Sequence, residues 1–139
     1  MSAMTGRLAA RIRRRHCSTT RATGLESIRK AGLRPGVCLN PGSPLALVEP
    51  VLRNADLLVM MCVNPGWGGQ KFIDGSLERI KAARALRDRL NLNLDIEVDG
   101  GVTAETGRQC AQNGATVLVA GSFVFGHPQG RKAAIDQLR

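Results

Sequence analysis

The stretch Leu57-Leu58-Val59-Met60-Met61-Cys62-Val63-Asn64-Pro65-Gly66-Trp67-Gly68-Gly69-Gln70 decides how this chain is read. Its first seven residues form an unbroken apolar run, far too short for a membrane span and of the kind found in strands covered on both faces. The next seven end any regular element. Pro65 removes a backbone donor, and three glycines around Trp67 let backbone N–H groups approach a ligand while the indole swings as a lid. An apolar strand that empties into a glycine-rich polar loop is expected in parallel α/β sheets, whose ligands gather at the carboxyl ends of the strands. Taken alone, the same loop also fits a plain surface turn.

Working outward, three more short apolar runs stand at 36–39, 94–98 and 116–120. Residues 44–54, 75–90 and 104–113 lie between them and carry apolar positions at helical spacing, with Leu77, Ile80, Ala83, Ala85 and Leu86 predicted as one buried stripe. Thr103 and Thr106 offer polar starts, and Gly114 a stop. Helices are further predicted over 24–31, ending at Gly32, and over 131–138. The result is an α/β chain of four βα units with one helix leading in. Half of a (β/α)8 barrel and a small open sheet share this alternation, and periodicity does not separate them. No dinucleotide fingerprint or Walker-type loop favours the open sheet.

A complete (β/α)8 barrel takes roughly 200–250 residues, and this chain has 139. Its formal net charge of +9 is uneven: residues 1–34 hold nine Arg or Lys against one Glu, and residues 35–139 hold eleven against ten. The basicity comes from an Arg-rich leader over residues 1–23 (Arg7, Arg11, Arg13, Arg14, Arg15 and Arg21), read as disordered or as a non-native start. Binding to nucleic acid is the sharper reading of that run, but Trp67 and three Phe are the only aromatics and no nucleic-acid module accompanies it. Cys17, Cys38, Cys62 and Cys110 form no C-x-x-C pair, so reduced thiols are expected rather than a zinc knuckle or redox motif. With no membrane-length apolar run, a cytoplasmic location is expected, or an organellar one if the leader is a transit segment.

Two further strand tips carry candidate chemistry. The run at 94–98 leads into Asp99-Gly100-Gly101, which places one carboxylate at a strand end with exposed amides behind it. Asp99 is the best acid-base candidate in the chain, although an Asp there equally serves to cap the following helix. The run at 116–120 leads into Gly121-Ser122, which offers amides and a hydroxyl before a helical turn. The last two strand-helix loops of such barrels often seat a phosphate. Each pair alone marks only a turn.

Asn64-Pro65-Gly66-Trp67-Gly68-Gly69-Gln70-Lys71-Phe72-Ile73, then Val98-Asp99-Gly100-Gly101-Val102, then Val119-Ala120-Gly121-Ser122 resemble, in order and spacing, the ribulose-phosphate 3-epimerase family. Gly36-Val37-Cys38-Leu39-Asn40-Pro41 is similar to the family's fifth strand and its turn, and His16 to a His at the end of the fourth. The resemblance covers residues 24–139, and faintly from 16. It implies a partial (β/α)8 TIM barrel, roughly the last four βα units. It also implies interconversion of D-ribulose 5-phosphate and D-xylulose 5-phosphate through an enediolate at carbon 3. Asp99 would be one of two acid-base aspartates and a ligand to a divalent metal, zinc in most relatives. Gly66, Trp67, Gly68 and Gly69 would close over the ketopentose phosphate, Gly100, Gly101, Gly121 and Ser122 would hold its phosphate, and Met61 would line the pocket.

The family's other aspartate and its two metal-binding histidines lie on early strands, and neither His16 nor His127 matches those positions. The expectation is therefore a truncated chain, inactive alone, that pairs with a second half-barrel or with copies of itself. A non-catalytic sugar-phosphate binder is the alternative from another class. A related hexulose-phosphate enzyme is a further one, and the lid motif argues against it.

Overall fold

The computed structural model describes residues 18–139. The Arg-rich run up to Arg15, together with His16 and Cys17, lies outside the described residues. Helix α1 spans Ser18–Lys30 and so starts upstream of the predicted 24–31. Strand β1 (Gly36–Leu39) follows, then two 3-10 turns at Leu45–Leu47 and Glu49–Asn54. An α-helix was predicted over 44–54. Pro50 explains the difference, because without an N–H it cannot donate to the carbonyl four residues back and so interrupts a continuous helix over this segment. The remaining elements are β2 (Leu57–Met61), α2 (Ser76–Arg89), β3 (Asp95–Asp99), α3 (Ala104–Asn113), β4 (Val117–Val119), α4 (Gly121–Phe125) and α5 (Gly130–Gln137).

The four strands form one parallel sheet in the order β1-β2-β3-β4, with each consecutive pair joined across an intervening helix or 3-10 segment. This is the βα repeat of part of a (β/α)8 barrel. The register sets Leu39, Met60 and Val98 on one face with Leu58 and Ile96, and that face is buried. Ile80, Ala83 and Leu86 of α2 and Cys110 of α3 close over it, so the core is a single layer between sheet and helices. The predicted α2 stripe holds at those three α2 positions. Ala85 is exposed because it turns away from the row at 76, 80 and 83, and Leu77 is half-buried at the edge of that row, still packed against the core.

The alternate strand positions, Leu57, Val59, Met61, Asp95, Glu97 and Asp99, are half-buried on the opposite face. The apolar runs had suggested strands buried on both sides. Period-2 geometry instead separates them into a sealed helix side and a second face that remains accessible among the described residues.

Ion pairs secure the amino ends of the strands. Arg34 Nη2 donates to Asp95 Oδ2 at 2.7 Å, and Arg29 Nη2 to Asp56 Oδ1 at 2.9 Å. The Asp95 carboxylate beside it, despite partial desolvation, holds the Arg34 guanidinium pKa above its usual value.

Candidate active site

Strand β3 carries three carboxylates on the accessible face, and the fold gives each a different environment. Asp95, at the amino end, accepts from Arg34 and from Thr116 Oγ1. Glu97 is half-buried in the middle of the strand, and burial, reinforced by the negative charge of Asp99, raises its pKa above the ordinary carboxylate value. Asp99 ends the strand, its carboxylate engaged by no hydrogen bond or ion pair among the described residues. Its backbone carbonyl accepts from Cys62 N at 2.8 Å, which fixes the strand tip against the end of β2. The carboxyl ends of the strands are where barrels of this kind carry chemistry. Met61, Asp99 and Val119 stand in one row across β2, β3 and β4.

The loops that follow β2, β3 and β4 border an open pocket of about 390 Å³, lined by Gly69, Lys71, Phe72, Gly101, Thr103 and Ser122 among others; Met61, Asp99, Gly100 and Gly121 are not in its lining. Each of the three glycine-rich segments singled out in the sequence thus contributes to one wall, through Gly69, Gly101 and Ser122. The wall is held by hydrogen bonds. Thr106 Oγ1 donates to Gly101 O at 3.0 Å and accepts from Thr103 N at 2.8 Å, while Thr106 N donates to Thr103 Oγ1 at 3.3 Å. This reciprocal cap satisfies the first turn of α3 and fixes the loop after Asp99. Gly100 and Gly101 both adopt positive φ, +112° and +65°.

The lid candidates sit differently. Gln70 Nε2 donates to Asn64 O at 2.7 Å and to Trp67 O at 2.9 Å, folding the loop onto itself. Trp67 is 73 % exposed, and Gly66 and Gly68 face open space rather than the pocket. Gly121 is exposed at the start of α4, next to Ser122.

The sequence had given no role to Lys71, Phe72 and Thr103 as pocket walls, or to Arg79. The first two lay inside the quoted motif, and the threonines were read only as a helix start. Arg79 left no signal in the sequence: its guanidinium donates to Asn40 O at 2.9 Å, Ser43 O at 3.2 Å and Met61 O at 3.5 Å, joining the ends of β1 and β2.

The residues from 9 to 125 match the model of the ribulose-phosphate 3 epimerase family. The chain belongs to that family. Similar proteins include ribulose-phosphate 3-epimerase of Bacillus subtilis (strain 168), 44 % identical over 116 residues, covering 83 % of this chain and 53 % of the relative. The same-named protein of Aquifex aeolicus (strain VF5) is 42 % identical over 102 residues, covering 73 % of this chain and 46 % of the relative. A chloroplastic ribulose-5-phosphate-3-epimerase of Arabidopsis thaliana is 45 % identical over 102 residues, covering 73 % and 36 %. The chain thus spans about half the length of the curated relatives it matches, or less.

For an epimerase-family chain, the expected divalent metal needs a cluster of ligands. Among the described residues, no three His, Cys, Asp or Glu side chains come together to hold one. Asp99 by itself does not supply the ligand set that a divalent metal needs. No helix among the described residues is long and apolar enough to cross a membrane.

Proposed function

We propose that residues 24–139 supply the C-terminal half-site of a ribulose-phosphate 3-epimerase, acting on a ketopentose phosphate. The observation that carries this reading is the meeting of Gly69, Gly101 and Ser122 in one pocket wall two residues past Asp99, a strand-tip carboxylate in register with Met61 and without a hydrogen bond or ion pair among the described residues. Amides and the Ser122 hydroxyl at the starts of α3 and α4 would anchor the phosphate, with Gly100 and Gly121 as neighbours in the same two loops. Asp99 would then remove or return the proton at carbon 3 from one face of the sugar. Met61 would keep water from the enediolate, and Trp67 with Gly66 and Gly68 would close from the solvent side when substrate binds.

Inversion at carbon 3 needs a second acid-base group on the opposite face. In this reading that carboxylate comes from outside the described residues, as does the surface that covers Val59 and Glu97. A second half-barrel is the partner of choice, with a further copy of the chain as the alternative. The chain alone then binds sugar phosphate without turning it over.

Conversion of D-ribulose 5-phosphate to D-xylulose 5-phosphate tests this, assayed with the chain alone and with the separately produced first half of a related barrel. Turnover is expected only in the mixture, with Asp99→Asn lowering it at least about a hundredfold. A mixture in which Asp99→Asn is as active as the parent would remove Asp99 from the chemistry. Robust turnover by the chain alone would remove the need for a second half.

A further inference from the structure

The pocket beside Gly101 and Ser122 has one formally charged residue in its lining, Lys71, and no carboxylate. The Lys71 ammonium forms no ion pair among the described residues, whose ion pairs are all made by other cations. The two threonines in the lining are already occupied, since the Thr103 and Thr106 hydroxyls serve the α3 cap and Gly101 O. Neutral amides and one serine hydroxyl would otherwise face an anion of nearly two charges.

Lys71 is held in place by its neighbours in sequence. On one side Gln70 is fixed to Asn64 O and Trp67 O. On the other, Phe72 packs its backbone on Gly101, and Ile73 N donates to Cys62 O at 2.9 Å. The segment bearing the cation is thus held at both ends, within its own loop through Gln70 and against Gly101 through Phe72. A lysine on such a segment combines a fixed root with a flexible, strongly charged tip, which suits an anion whose orientation is already set by amides.

We propose that Lys71 is the charge-selecting residue of this pocket: its ammonium neutralises the phosphate of a bound sugar phosphate, so the site takes phosphomonoesters and refuses the unphosphorylated sugar. The inference rests on the pocket being the phosphate seat. Lys71 is exposed, so its replacement leaves the core intact.

The test is an amide-resolved magnetic-resonance titration of the whole chain with inorganic phosphate, D-ribulose 5-phosphate and neutral D-ribulose, at low and moderate salt. In the parent, both phosphates shift the Gly69, Gly101 and Ser122 amides saturably and the neutral sugar does not. Lys71→Gln weakens phosphate binding about tenfold and flattens its salt dependence, and Lys71→Arg restores both. Parent-like affinity and salt dependence in Lys71→Gln would overturn the role of Lys71 and leave the pocket standing. Absence of any saturable shift at those amides in the parent would overturn the pocket reading, and Lys71 with it.

Discussion

Gly101 lies directly against the backbone of Phe72: a Cβ built on Gly101 would stand 2.7 Å from Phe72 Cα and 2.9 Å from its Cβ. Next to it, a Cβ on Gly100 would come within 2.8 Å of Val63 Cγ1. The loops that follow β2 and β3 are therefore fused through two glycines into one wall. The Asp-Gly-Gly sequence is required by this close approach as much as by any ligand.

Gly101→Ala should destabilise the fold by about 2 kcal/mol or more, from the positive φ together with the clash against main chain. Gly68→Ala, with open space around it, should stay within about 0.5 kcal/mol of the parent. Urea-denaturation midpoints check both. Equal midpoints for Gly101→Ala and the parent would mean that the two loops give way easily.

Glu97 has a raised pKa in the folded chain, so between the unfolded carboxylate value of 4.5 and that raised value the native state binds more protons than the unfolded one. Stability should therefore fall as pH rises through this window. Glu97→Gln should remove that part of the dependence and match the parent most closely below the window. Denaturation curves at several pH values between 4 and 7 would show it, and parallel profiles for the two proteins would contradict it.

Burial raises the Cys62 thiol pKa, and burial together with Cys62 pushes Cys110 up to about 12. Neither offers thiolate at neutral pH, whereas Cys38 is exposed on β1. Alkylation of the native chain at pH 8, followed by peptide mass analysis, should label Cys38 well before Cys62 or Cys110. Equal labelling would show that the sheet–helix layer opens readily.

Arg79→Met should take the side-chain donor from the Ser43 carbonyl, leave the Asn40 carbonyl with only its bond from Ser43 N, and cost about 1–3 kcal/mol. Amide hydrogen exchange should quicken at residues 40–43 and 61–63 while the centre of β3 stays protected. Unchanged exchange at those strand ends would make Arg79 a bystander.

Much of the fold was legible in the sequence. The runs around Leu58, Ile96 and Leu118 mark strands because apolar β-branched and aliphatic residues cluster at strand length, and Ile80, Ala83 and Leu86 mark a helix by their spacing. The 44–54 segment misled because its apolar positions fit a helix while Pro50 forbids one. The Asp99 tip and the three glycine segments could be picked out as candidates. That they would share one sugar phosphate followed from the family resemblance and not from any local pattern; the pocket lining takes Gly69, Gly101 and Ser122 from the three segments, while Asp99, Gly100 and Gly121 are not in it and Trp67 stands 73 % exposed.

The sequence by itself determined the βα repeat, the family and the identity of the strand-tip groups, because each depends on residues within a few positions of one another. Only the tertiary structure decided that Asp95 pairs with Arg34, 61 positions away, while Asp99 on the same face has no such partner among the described residues. It likewise decided that Lys71 and Ser122 border one pocket. Those outcomes follow from strand register and from which loops meet at the end of the sheet, and neither is written in any local pattern of residues.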